Sequence, residues 1–210
     1  MMDGIDIQVL LNNEARMLLF MPGALTIQGL ACLGAILFAT IGRLTYQAYT
    51  DPMTGCLNRR GFEVAARTNI AIAKRHQLPI SAVICDIDYF KNYNDQFGHV
   101  AGDEVLQLLA LKIHYVWSGK SYRIGGDEFI LLGYPTQAEL NRAMKELSRI
   151  DVKGKLCSEL ESVGISIGVS AKREQHMSLE QAMHLADEDM YSSKQSTRRY
   201  PSSHRYVAQS

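Results

Sequence analysis

With 210 residues, 47% hydrophobic and 21% charged, the chain has room for one ordinary globular core and an appendage. Its formal net charge is zero, and no basic block or aromatic-interleaved patch points to nucleic acid as a partner. The four cysteines, Cys32, Cys56, Cys85 and Cys157, include no C-x-x-C pair, which argues against a zinc centre or a disulfide framework and fits a reducing compartment.

Between Arg16 and Arg43 lie 26 residues without a charge, Met17 to Gly42. A bilayer needs about 20 apolar residues, so the run is long enough to cross one. Pro22-Gly23 weakens its first turn, leaving Ala24 to Ile41 as the firmer core. Ala31, Ala35 and Ala39 form a small-residue stripe along which two such helices would pack closely in lipid. A buried helix or an apolar dimerisation stalk of a soluble protein is the alternative. Arg16 and Arg43 balance across the segment, so charge does not set its orientation. The helix continues through Arg43 to Thr50, and Asp51-Pro52 stops it.

Asn58 reads as the N-cap of a helix running to about His76. Ile80 to Cys85 is a short β-branched run that fits a buried strand, ended by Asp86-Ile87-Asp88. If the strand persists, Asp86 and Asp88 share one face and Ile87 points into the core. Phe90 to Asp103 is polar and glycine-containing. It opens into a helix from Glu104 to about Trp117, with Asp103 as a candidate N-cap and Asn94 as a candidate turn residue.

Arg123-Ile124-Gly125-Gly126-Asp127-Glu128-Phe129, followed by Ile130-Leu131-Leu132, reads as a tight hairpin with two acids at its tip. Its glycines permit positive φ and the close approach of a ligand to the backbone. Asp127 and Glu128 would repel a phosphate there unless a divalent cation intervened. Gln137 to Ile150 reads as an amphipathic helix, and Val163 to Ser170 as a strand. Ser178 to Lys194 forms a last helix with an apolar stripe of Leu179, Ala182, Met183, Leu185, Ala186, Met190 and Tyr191. Lys194 and Arg198 at its end suit either the helix dipole or a bound phosphate. The plan is a segment 1–50 with a transmembrane or stalk helix at about 18–42, a globular domain over 51–198, and a disordered tail over 199–210.

Over roughly Asp51 to Arg198 the chain resembles the bacterial GGDEF family of diguanylate cyclases. The resemblance rests on Asp51-Pro52-Met53-Thr54-Gly55-Cys56-Leu57-Asn58-Arg59-Arg60, Asp86-Ile87-Asp88-Tyr89-Phe90-Lys91, Asn94-Asp95, Phe97-Gly98-His99, Ala101-Gly102-Asp103, the hairpin, Ser166-Ile167-Gly168-Val169, and Ala186-Asp187 with Tyr191 and Lys194. It implies an α/β domain of palm-like α+β type, with a mostly antiparallel sheet wrapped by helices. It also implies condensation of two GTP into cyclic di-GMP across a homodimer. Carried over residue by residue, it makes Glu128 and Lys91 catalytic. Asn94, His99, Asp103, Lys194 and Arg198 would bind nucleotide. Asp86, the Ile87 carbonyl, Asp127 and Glu128 would hold two Mg²⁺, with Mn²⁺ as an alternative.

GTP is cytoplasmic, which implies a bacterial inner-membrane protein with its catalytic domain inside. The chain departs from the family pattern in three places. Val116 and Gly119 stand where an Arg-x-x-Asp product-inhibition site is expected, which implies no feedback through that site. Thr197 and Arg199 flank Arg198 where glycine and asparagine are usual. The stretch between Phe129 and Ser166 is about ten residues shorter than expected. A catalytically weak domain acting as a GTP-binding or protein-interaction module is the alternative reading.

Overall fold

The computed structural model describes the backbone of residues 7–152, 162–170 and 178–199, and the side chains of 27–152, 162–170 and 178–195. Cys157, the tail beyond 199, and the Thr197 and Arg198 side chains lie outside that set. The chain divides into two compact units, Met1–Gln47 and Ala48–Ser210.

Helix α1 spans Ile7–Tyr49. It runs unbroken through Pro22-Gly23, where the sequence suggested weakening. A proline removes a single intrahelical hydrogen bond, and helix on both sides carries across it. Its large apolar side chains from Ile27 to Leu44 are exposed, with Phe38 at 81%. By length and composition, Ile27–Tyr49 is long and apolar enough to cross a membrane, with a mean hydropathy of 1.6.

The second unit begins with a tight turn and α2, Arg59–His76. The Asn58 side chain accepts from the Gly61 amide at 3.0 Å and donates to the Ala48 carbonyl at 3.0 Å, so one amide caps α2 and fixes the preceding chain. There follow β1 (Ser81–Ile87), α3 (Phe90–Phe97), α4 (His99–Val116), β2 (Lys120–Arg123), β3 (Glu128–Gly133), α5 (Gln137–Leu147), β4 (Arg149–Asp151), β5 (Ser162–Val169) and α6 (Leu179–Arg199). The strands form one five-stranded sheet in the order β2-β3-β1-β5-β4, antiparallel at every pairing.

Side chains alternate across this sheet with a period of two, and each face has its own core. Val83, Cys85 and Ile87 of β1, Phe129 and Leu131 of β3, and Val163, Ile165 and Ile167 of β5 pack with Val105, Leu109 and Ile113 of α4 and Leu140 of α5. Ala82, Ile84, Ile130 and Leu132 pack on the other face with Ala66 of α2 and Ala182, Ala186 and Met190 of α6. The fold is therefore the mixed α/β, antiparallel-sheet architecture expected.

Two boundaries and one burial assignment differ from the sequence reading. Helix α4 starts at His99, not Glu104, because Gly98 at φ 85° turns the chain in a single residue. Asp103 therefore lies inside α4 and is not its N-cap. Gly102 is no breaker: a Cβ there would overlap the Asn94 side chain, so this glycine lets α3 and α4 close on each other. Helix α5 stops at Leu147, and Ile150, expected at its end, pairs with Val163 as part of β4. Tyr191, placed in the apolar stripe of α6, is 63% exposed while Met190 beside it is buried.

Candidate active site

Strand register sets the first layer of the site. Asp86 on β1 lies directly opposite Glu128 on β3 and opposite Ser166 on β5. The three fall in one row on the face covered by α2 and α6, since even-numbered positions of all three strands point that way. Helix α6 crosses that face and brings Lys194, whose ammonium lies 2.9 Å from the Asp86 carboxylate. It packs this close because Gly168 has no Cβ; one would overlap the Ala186 carbonyl and the Met190 backbone.

Beyond the end of β1 the chain folds back on itself. Tyr89 takes a left-handed conformation at φ 54°, which costs a residue with a Cβ about 1–2 kcal/mol, and α3 begins at once. This turn walls a cleft of about 320 Å³ lined by Asp86, Ile87, Asp88, Tyr89, Phe90, Lys91, Asp127 and Lys194. The cleft thus joins three aspartates, two lysines and the amino end of a helix, where the dipole favours an anion. Asn94, His99 and Asp103 do not line it. They lie further along α3 and α4, where the Asn94 amide oxygen is buried against Gly102 and takes no hydrogen bond. His99 and Asp103 are exposed.

The opposite wall is the β2–β3 hairpin. Gly125 and Gly126 have no positive φ, so the first reason given for them from sequence does not hold. A Cβ at Gly126 would meet nothing within 4 Å, and at Gly125 only the Glu128 side chain near 4 Å, so the space in front of the turn is open. Arg123 holds this turn. Its Nε and Nη2 donate to the Gly126 carbonyl at 3.2 and 2.7 Å, while Nη1 donates to Asp51 at 3.1 Å. One guanidinium thereby joins the chain leaving α1 to the turn that carries Asp127.

Burial raises the carboxyl of Asp127, and the nearby charge of Asp86 raises it further. Glu128 is raised by burial first, then by Asp86 and Asp187, with Lys194 offsetting part of this. These shifts mark a cluster of negative charge that Lys194 and Arg123 do not fully compensate. Among the described residues no three His, Cys, Asp or Glu side chains converge to hold a metal by themselves. The donor set nevertheless fits a hard cation that also takes carbonyl and phosphate oxygens, as Mg²⁺ characteristically does.

Asp51 behaves in the opposite way. Burial disfavours its charge, but the Thr54 hydroxyl and Arg123 outweigh that and hold its carboxyl below the ordinary aspartate value. A depressed carboxyl stabilises the fold above the unfolded-state value of about 3.9 and loses that contribution as pH falls. Asp51→Asn is therefore expected to lower the melting temperature at pH 7, with the gap to the parent closing as the pH is taken below about 4. A gap that stayed constant with pH would contradict this.

Residues 48–200, well over half of the chain, match the family described as diguanylate cyclase, GGDEF domain. The chain belongs to the GGDEF family. It is 35% identical over 158 residues to the response regulator PleD of Caulobacter vibrioides (strain NA1000 / CB15N), covering 72% of this chain and 35% of that one. To the diguanylate cyclase DosC of Escherichia coli (strain K12) it is 33% identical over 165 residues, 75% of this chain and 35% of the relative. The chain thus spans about a third of the length of these two relatives. Its fold is similar to the crystal structure of the GGDEF domain of DgcB from Caulobacter crescentus in complex with c-di-GMP, with TM-score 0.61 and 26% identity over 71% of this chain and 89% of that one. Diguanylate cyclases of this GGDEF family use a divalent metal.

Two GGDEF-domain residues escaped the sequence assignment of roles, Asp88 at the cleft and Ser166 behind it. Asp88 lines the cleft and accepts the Ser166 hydroxyl at 2.5 Å. The signal for Asp88 was available in the alternation that put it on one face with Asp86. Sequence could not supply the strand register that sets Ser166 alongside.

Proposed function

We propose that this GGDEF chain is a diguanylate cyclase that condenses two GTP into cyclic di-GMP. The observation carrying this reading is the row of Glu128 and Asp86 with Lys194 above it, opening on a cleft whose other wall is the amino end of α3. Each domain of a homodimer holds one GTP. The 3′-oxygen of each nucleotide bonds to the α-phosphorus of the other, the bond from that phosphorus to the β-phosphate oxygen breaks, and two pyrophosphates leave.

Glu128, in the same row as Asp86 at the end of the sheet, accepts the 3′-hydroxyl proton as general base. Asp86, the Ile87 carbonyl, Asp127 and Glu128 would hold two Mg²⁺, with Mn²⁺ as an alternative. When bound, these ions supply Lewis acidity at the attacking and leaving oxygens. Lys91 offers its ammonium to charge developing on the phosphoryl oxygens. Lys194, which pairs with Asp86 in this structure, would neutralise the triphosphate tail together with Arg198 one turn further along α6. The Asp103 carboxylate accepts from the guanine N1 and N2 hydrogens, the Asn94 amide donates to the remaining edge, and His99 lies nearby.

The α1 helix anchors the chain in the bacterial inner membrane with the GGDEF domain in the cytoplasm. The test is to incubate the full chain, in membranes or detergent, with GTP and Mg²⁺ and to resolve the products chromatographically. Cyclic di-GMP is expected, and its absence at high enzyme concentration would overturn the reading.

The same assay checks a second expectation. The positions of the family's inhibitory Arg-x-x-Asp are Val116 and Gly119, and a Cβ at Gly119 would overlap the Leu132 carbonyl and crowd the Trp117 ring. Cyclic di-GMP added before GTP is expected to leave the initial rate unchanged at concentrations well below those that compete at the cleft. Non-competitive inhibition would refute this.

A further inference from the structure

Three features of β5 converge on one residue, Asp88, to which the cyclase chemistry assigns no part. The buried Ser166 hydroxyl, 3% exposed as a residue, donates to Asp88 Oδ1 at 2.5 Å. The Gly164 carbonyl accepts the Asp88 amide at 3.0 Å. Gly164 also has no Cβ, and one there would come 2.7 Å from Asp88 Oδ2. Residues 164 and 166 point to the same face of the strand, so β5 offers the Asp88 side chain a donor at 166 and a gap at 164, while the Gly164 carbonyl holds the Asp88 backbone amide.

The residue after Asp88 gives this anchor its purpose. Tyr89 is left-handed at φ 54°, and a residue with a side chain keeps that conformation only where its surroundings over-determine it. The turn it makes joins Asp86 and the Ile87 carbonyl to Phe90 and Lys91, all of which line the cleft. Fixing Asp88 therefore fixes the spacing between the acidic end of β1 and the amino end of α3.

We propose that Ser166 and Asp88 form a positioning pair for the cyclase reaction, in which β5 holds the β1–α3 turn so that metal-holding oxygens and phosphate-holding groups keep one separation. This rests on the cyclase reading of the site. Neither residue transfers a proton or touches a reacting atom; the pair acts through the turn.

The experiment compares Ser166→Ala, Ser166→Thr and Gly164→Ala in the full chain. It measures kcat, the KM for GTP, the Mg²⁺ concentration for half-maximal rate, and the melting temperature. Ser166→Ala is expected to raise the GTP and Mg²⁺ requirements together by about tenfold, the scale seen when residues supporting metal ligands are lost, with little change in melting temperature. Ser166→Thr keeps the hydroxyl and should recover most of the loss, while Gly164→Ala should reproduce it from the other side. A Ser166→Ala protein whose KM and Mg²⁺ requirement match the parent overturns the proposal, as does one that only melts earlier.

Should the parent make no cyclic di-GMP, the cyclase reading fails by itself. Calorimetric titration with GTP and Mg²⁺ then decides the pair: roughly tenfold weaker binding in Ser166→Ala upholds it, and equal binding refutes it. If Ser166→Ala does not fold, the Gly164→Ala titration alone decides on the same criterion.

Discussion

Glu128→Gln is expected to abolish cyclic di-GMP formation, lowering the rate by about 10²–10⁴-fold, the usual worth of a positioned general base. The substitution is nearly isosteric and Glu128 opens β3 at the rim of the sheet, so the domain should fold as before. GTP should still bind, because Lys91, Lys194 and the α3 terminus are untouched. The amide also removes one charge from a cluster in which Asp86 and Asp187 already raise Glu128. Mg²⁺ demand should therefore rise as well, since a neutral oxygen is the weaker ligand. The informative result is loss of product with retained nucleotide binding, read by calorimetry beside the chromatographic assay. Full activity in the variant would remove Glu128 from the mechanism.

The second large effect is expected from Gly168→Ala. Gly168 has no positive φ, so an added methyl strains no torsion, and alanine would ordinarily stabilise slightly by restricting the unfolded chain, by about 0.4–1 kcal/mol. Space decides the sign instead. The new Cβ would overlap the Ala186 carbonyl and approach the Met190 Cβ to 2.6 Å. Two of the atoms met are backbone, so α6 itself must move off β5. Overpacking of this kind typically costs about 1–3 kcal/mol, with a matching drop in urea midpoint. The displaced helix also carries Lys194 away from Asp86, so activity per folded molecule should fall. Gly34→Ala on α1, where a Cβ would meet nothing within 4 Å, is the control and should change neither quantity.

Much of the GGDEF fold was legible because its signals are local. The Asn58 cap, the β-branched run ending at Asp86 and the alternating Val163–Ser170 segment each carry their own period or capping chemistry, and each element formed where expected. The errors fell where a tertiary contact overrides local grammar. Gly102 looks like a breaker until Asn94 is seen pressed against it. Ile150 looks helical until β5 offers it a partner. Tyr191 fits an apolar stripe by type, yet lies just outside the arc that α6 buries.

At the site, the acids Asp86, Asp127 and Glu128 and the cation Lys194 could be named from motif order. Their arrangement could not, because it depends on which residue of β3 and which of β5 lie opposite Asp86. That register is long-range information. For the same reason Ser166, an ordinary small polar residue in a strand, gave no hint that it would sit beside Asp88.

The packing at Gly119 also bears on how this sequence can change over time. An arginine at position 116 is reachable by a tolerated surface-side substitution, since Val116 is only partly buried at the end of α4. An aspartate at 119 is not, because its first carbon already collides with the backbone of β3 and the edge of Trp117. Installing both halves of an Arg-x-x-Asp pair therefore requires the Trp117 corner to be rebuilt, because the arginine alone leaves position 119 closed to any side chain.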